Sequence, residues 1–286
     1  MLNCDKTRIY VGSVPTDETT RIPSNAVDLV GLMDGYGTTQ ISGLTRPKAT
    51  INRSKLAGAN ASRISGAQIS ERNIVLTVVP QDDGEALRQE LYNILPFDTM
   101  LRFYIETERR QVFIDGYVED LGGDADEPNG EEFAPQISII CPFPWFHSVK
   151  LHTAQLKLGD NIIRNDGDIP AGFRLEVEGH ANMVQLVDFE LNAGGETFAT
   201  KADTPVLAPV ELITTPGKRT FKCSNGGHTS TGTWKPSFSY LAANTKWPNI
   251  PGGAQTINVS YTSGGEGEYI FDNLNTLYWR DTYSGV

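Results

Sequence analysis

Cysteine is scarce in this sequence: three in 286 residues, Cys4, Cys141 and Cys223, widely separated and without a CxxC. That spacing excludes a recognisable zinc cage or redox dithiol, and free thiols kept in a reducing cytosol are the simple expectation. Basic charge is also short, with 24 Lys and Arg against 35 Asp and Glu, a net charge of −11. A protein that grips nucleic acid needs clustered cations to displace counterions from phosphates, so this balance argues against such a role. It suits a surface past which nucleic acid slides. No apolar run approaches the ~20 residues of a membrane span, and no membrane partner is expected. The opening "MLNCDKTRIY" lacks a basic start followed by an apolar stretch, so it does not read as a secretion signal. Sequons at Asn52, Asn60 and Asn258 carry no weight without one.

Catalytic patterns are missing as well. There is no GxSxG elbow, no P-loop and no GxGxxG after a strand. His147, His152, His180 and His228 do not pair with each other or with cysteine at ligand spacing. The loop 119–132 holds Glu119, Asp120, Asp124, Asp126, Glu127, Glu131 and Glu132, but Pro128 stands where a calcium loop wants an oxygen ligand. A hydrated acidic loop is the better reading. "SNGGHTSTG" (224–232) lacks the lysine and following helix of a phosphate loop and reads as a hairpin tip. Trp234, Trp247 and Trp279, with several tyrosines, fit either a sugar-stacking platform or the filling of a β-sandwich, and the second is favoured. No catalytic, cofactor-binding or metal-ligating residue is assigned, no cofactor is implied, and the chain does not read as an enzyme.

What is present is strand. A length of 286 residues with 39% hydrophobic content suits two domains, each able to bury a core. Residues 43–70, rich in Gly, Ala, Ser, Asn and Arg, predict an extended, partly mobile arm, because they carry little apolar periodicity. "NIVLTVVP" (73–80) is β-branched and predicts a strand. A single helix follows over 83–95. Asp82 and Glu85 have capping-box spacing, Leu87, Leu91, Ile94 and Leu95 recur on one face, and Pro96 stops it. Such a stripe must press against a sheet. Residues 100–119 predict a long hairpin turning at Glu106–Arg110, and "PQISIICPFPWF" (135–146) a buried strand ended by prolines.

Beyond a boundary near 150 the pattern changes to strands only, at 173–179, 183–191, 209–215, 256–262 and 268–279, separated by Gly, Pro, Asn and Asp turns. The fold class expected is mainly β. An N-terminal antiparallel β-sandwich domain (1–150) carries the arm, one α-helix and the long hairpin, and a C-terminal β-sandwich domain (151–286) follows it.

In order and spacing these segments resemble the distal tail protein family of long-tailed, non-contractile bacteriophages. The resemblance rests on the Gly/Ser-rich arm leading into Arg72, Asn73 and Ile74, and on one helix stopped at Leu95 and Pro96. It continues in the Ile139 and Cys141–Phe146 strand end, with Phe143 where an acidic residue is more usual. The turn Asn165, Gly167, Asp168 and the closing "RDTYSGV" complete it, while residues 180–255 depart most. The resemblance implies a structural virion protein with a galectin-like second domain. Its partners would be five further copies in a homohexameric ring (a dodecamer where two rings stack), the tail tube protein, and a tail-associated fibre or lysin protein. Its place would be the tail tip, after assembly in the host cytoplasm, with DNA passing the pore without specific binding. The alternative is a module that binds host-wall carbohydrate through Trp234 or Trp247.

Overall fold

The computed structural model of the chain describes residues 7–15, 20–31, 34–55, 61–80, 84–122, 135–178, 185–226, 235–263 and 275–286. Two compact units form, one of Met1–Lys150 together with Tyr283–Val286, the other of Leu151–Thr282. Residues 283–286 therefore return to the unit that the chain left at Lys150.

The first unit runs β1 (Arg8–Ser13), β2 (Val27–Asp28), β3 (Tyr36–Ser42), β4 (Ala49–Lys55), β5 (Ser62–Ile69), β6 (Arg72–Pro80), α1 (Gly84–Ile94), β7 (Leu101–Glu106), β8 (Gln111–Gly122), β9 (Gln136–Cys141) and β10 (Phe146–Ser148). Its main sheet has the order β2-β1-β7-β8-β9-β6-β3, with antiparallel pairing and β10 added against β8. Alternation sorts the side chains. Ile74, Leu76 and Val78 of β6 and Ile137, Ile139 and Cys141 of β9 face one core. The stripe of α1 closes that core: Leu91 and Leu95 are fully buried, and Leu87 and Ile94 pack beside them. Each buried leucine stabilises the unit by roughly 1.5–3 kcal/mol through apolar burial. The Tyr36 hydroxyl fixes the helix from the sheet side by donating to the Leu87 carbonyl at 3.0 Å. The capping position Asp82 lies outside the described residues.

The arm differs from its expectation. In place of an unstructured extension, β4 and β5 pair with each other as a separate two-stranded antiparallel sheet, with a bulge between Asn52 and Arg53. Its β-branched residues are spread among Gly, Ala, Ser and Asn, which hides the alternation from a composition-based reading.

The second unit contains β11 (His152–Ala154), β12 (Gly159–Asn165), β13 (Phe173–Val177), β14 (Gln185–Ala193), β15 (Glu196–Ala199), β16 (Val206–Leu207), β17 (Val210–Ile213), β18 (Thr220–Cys223), β19 (Gly253–Ser263) and β20 (Asn275–Trp279). They form two sheets, β11-β20-β13-β17-β18 and β12-β19-β14-β15, the second with β16 on β14. Phe173, Leu175, Leu212, Phe221 and Leu277 of the first sheet share one core with Phe189, Leu191, Phe198 and Val259 of the second. Such a shared core is what defines a β-sandwich. The mainly β, sandwich-rich architecture with one short helix agrees with the class expected from the sequence.

Candidate interaction surface

The strand-leading Arg72 is a buried cation, 3% exposed, at the base of the β4–β5 hairpin. Its Nε donates to the Pro144 carbonyl at 2.8 Å. One terminal nitrogen donates to the carbonyls of Gly43 (2.5 Å) and Thr45 (2.6 Å), and the other to that of Ser284 (2.7 Å). The guanidinium lies 4.4 Å from the centre of the Phe146 ring. One side chain thus ties the segment entering the hairpin to the connection after β9 and to the returning segment 283–286. Burial lowers its pKa from the ordinary arginine value. Gly43 is required at this junction. Its φ is +84°, and a Cβ there would meet the Asn73 carbonyl oxygen at 2.1 Å. The Val286 amide donates to the Leu44 carbonyl at 3.1 Å and completes the closure.

From this anchored base the hairpin projects almost bare: every residue of β4 and β5 except Gly66 is exposed. Directly paired residues in an antiparallel ladder share a face. Ala49 with Ile69, Ile51 with Ala67, and Arg53 with Ile64 therefore lie on one side. Thr50 with Gln68, Asn52 with Gly66, and Ser54 with Arg63 lie on the other. The hairpin is amphipathic, and its apolar side is open, with Ile51 at 52%, Ile64 at 67% and Ile69 at 38% exposure. It is also basic. Residues 43–70 hold Arg46, Lys48, Arg53, Lys55 and Arg63 and no acidic residue, in a chain of net charge −11.

The main sheet of the first unit has a second face, turned away from α1. At β1, β7 and the start of β8 it is covered: Tyr104, Phe113 and Val149 form a small cluster with Tyr10 and Ile22. Beside them Arg102 makes a two-pronged ion pair with Asp115, at 2.6 and 2.9 Å, and lies 3.9 Å from the Phe113 ring centre. Further along the same face the side chains are more open. Tyr117 pairs with Ile140, which pairs with Asn73, and in the next row Asp120 pairs with Ser138, which pairs with Val75. Tyr117 is 37% exposed, and Val75 and Ile140 are half-buried. A bulge after Val118 turns Glu119 onto this face too, where it accepts a hydrogen bond from the Ser138 hydroxyl at 3.0 Å. The result is a face on which Tyr117, Ile140 and Val75 are interleaved with Asn73 and Ser138, with two carboxylates on β8. A cleft of about 530 Å³ also opens in this unit, where Arg46, Arg109 and Arg110 line up with Glu108 and Ser284–Val286.

The other residues singled out in the sequence prove to be packing or lie outside the described residues. Cys141 and Cys223 are buried free thiols. Burial pushes Cys141 up to about 12 and raises Cys223 as well, so neither forms a reactive thiolate at neutral pH. His147 belongs to β10. His152 lies 2.9 Å from the Asp281 carboxylate and stacks on Trp279 at 5.2 Å. Trp279 is 7% exposed and donates to the Arg164 carbonyl at 3.1 Å. Trp247 packs against Phe198 and Phe238 on the second core. Asn165, fully buried, donates to the carbonyls of Ile169 and Ile250 and accepts from the Gly167 amide, so the Asn-x-Gly-Asp turn is a folding element. Phe143 is 49% exposed. His180, His228, Trp234, Cys4 and residues 123–132 of the acidic loop lie outside the described residues. Among the described residues no group of three or more His, Cys, Asp or Glu side chains is placed to hold a metal ion.

No protein-family model matches the chain, and no curated protein matches it in sequence. Solved structures do match, and they define the class of fold: that of components of phage adsorption hubs and baseplates. One is the Dit protein of phage SPP1, described as a paradigm of the hub adsorption apparatus in phages that infect Gram-positive bacteria. Its TM-score is 0.65 at 11% identity, over 88% of this chain and 95% of that one. Chains of the phage p2 baseplate in its activated conformation, with Ca and with Sr, each give a TM-score of 0.51 over 98% of this chain and 99% of theirs, at 11% and 12% identity. The family resemblance read from the sequence thus has its counterpart in the fold.

Proposed function

We propose that this chain is a structural virion protein, a subunit of a hexameric ring hub at the tip of a long, non-contractile phage tail. In this reading the first unit builds the ring and the second stands outside it. One ring face docks on the tail tube protein and the other on a tail-associated fibre or lysin protein. Where two such rings stack face to face, the particle is a dodecamer. The central pore passes DNA without binding it specifically, as a net acidic protein favours. The chain performs no catalysis, and its site of action is the tail tip after assembly in the host cytoplasm.

The observation that carries the reading is the bare, amphipathic β4–β5 hairpin on a rigidly anchored base. A two-stranded hairpin is marginal alone in water, so an apolar side this open implies a partner surface. A projecting element that docks on a different patch of the next copy makes a head-to-tail contact, which closes into a ring when its rotation allows. The shared fold with the SPP1 hub protein supports the same conclusion. Size exclusion with light scattering tests it. The expected result is a mass of about six or twelve chains of 31.3 kDa, with negative-stain images showing an annulus. A chain that stays monomeric up to millimolar concentration, with no annular particles, overturns it.

A further inference from the structure

We infer that the hairpin of one copy docks on the open half of the second copy's main sheet, over Tyr117, Ile140 and Val75, with Arg53 and Lys55 meeting Glu119 and Asp120. The inference rests on the proposed ring and names the two surfaces that make it. Both sides of the match are present in this chain. The apolar face of the hairpin carries Ile51, Ile64 and Ile69, and Arg53 stands directly beside Ile64. In β4, Lys55 follows Arg53 at the two-residue spacing that keeps it on that face. The receiving face offers the paired Tyr117 and Ile140, with Val75 one row further on in β6, and Glu119 and Asp120 following Tyr117 in β8. Isoleucines thus meet Tyr117, Ile140 and Val75 while two cations meet two anions.

The alternatives fit less well. The polar side of the hairpin, with Thr50, Asn52, Ser54 and Gln68, offers only Arg63 as a charge, too few cations to track a phosphate backbone. On the covered half of the main sheet, Arg102 is already engaged by Asp115 and the apolar residues are clustered. The open half has both the apolar side chains Tyr117, Ile140 and Val75 and, on β8, two carboxylates with no cation beside them among the described residues. Glu119 keeps its second oxygen for a cation while accepting from Ser138. Docking there leaves the hairpin's own sheet edges unused, so recognition runs through side chains rather than strand addition.

Charge exchange tests the pairing. In the full chain, the double variant Arg53→Glu with Lys55→Glu weakens self-association by ~10–100-fold, read by sedimentation velocity over a concentration series, because two attractive pairs become repulsive. Adding Glu119→Lys and Asp120→Lys to the same chain restores association to within about threefold, since the pairs are re-formed with signs exchanged. All four positions are exposed in the chain, so circular dichroism and melting temperature stay unchanged and folding is not the variable. Ile64→Asp gives the apolar arm of the test and dissociates the assembly. If rings form but the double reversal has no effect, or the exchange fails to rescue, the pairing is overturned while the ring stands. If the native chain never associates, both readings fall together. If the double reversal abolishes binding to double-stranded DNA rather than self-association, the hairpin serves nucleic acid and the inference is wrong.

Discussion

Replacing Arg72 by methionine keeps the apolar stem over Phe146 and removes only the guanidinium. Four carbonyl oxygens, those of Gly43, Thr45, Pro144 and Ser284, then lose their donor. A buried acceptor left without a partner costs about 1–3 kcal/mol. Gly43 and Thr45 line a cleft of about 350 Å³ at the hairpin base, so water entering there offsets part of the loss. The oxygens of Pro144 and Ser284 bear more of it, and the cation–π contact with Phe146 adds about 1 kcal/mol. Relief from burying a charge offsets some of this, as the lowered pKa of Arg72 indicates. The net expectation is a loss of about 3–5 kcal/mol, the range for breaking a buried charged network. Scanning calorimetry is the assay. In a unit of about 150 residues each kcal/mol moves Tm by ~2–4 °C, so the transition of the first unit should fall by roughly 10 °C. Arg72→Lys, with three donors and no planar fork, should fall between wild type and methionine. Limited proteolysis should then cut near residues 43–47 in Arg72→Met and spare the wild type. A Tm within about 3 °C of wild type would refute the claim that this side chain holds the junction.

Two further outcomes are expected. Leu91→Asp puts a carboxylate where the helix stripe is fully buried, at a cost of more than about 4 kcal/mol, so the first unit unfolds while the calorimetric transition of Leu151–Thr282 remains. Raising the pH weakens the first unit. Burial holds the Cys141 thiol at about 12 and the Tyr36 hydroxyl at about 12, above their ordinary values of 9.0 and 10.0. The unfolded chain therefore gives up these protons first. The stabilisation is complete below pH 9 and is lost as pH climbs toward 12. Urea midpoints between pH 8 and 11 measure this decline, and Cys141→Ala should flatten its early part.

The regular parts of the fold were legible where a period repeats. Leu87, Leu91, Ile94 and Leu95 announce the helix and Pro96 its end, and the strands at 73–80, 100–119 and 135–141 follow from alternation and β-branching. The hairpin was not legible. Ile51, Ile64 and Ile69 sit among Gly, Ala and Asn, and a bulge that leaves Ser65 unpaired opposite Asn52–Arg53 breaks the two-residue beat between Ile64 and Ile69. Strands of two to four residues, such as Glu196–Ala199 and Thr220–Cys223, are too short to carry a period. Arg72 was visible only as part of a resemblance, since its acceptors lie 29, 27, 72 and 212 residues away and no local pattern encodes such contacts. The tryptophans were read more closely: Trp247 and Trp279 pack as β-sandwich filling. The grouping of Tyr117, Ile140 and Val75 was not legible either, because they come from three strands that only pairing brings onto one face.

The return of residues 283–286 to the first unit sets the order in which the nascent chain matures. Arg72 waits for a carbonyl 212 positions downstream, so the earliest-made body stays unfinished while the ribosome builds the whole of the other. At ~5–20 residues per second this delay is roughly 10–40 s. During that interval the junction at Gly43 and Thr45 lacks its final clasp.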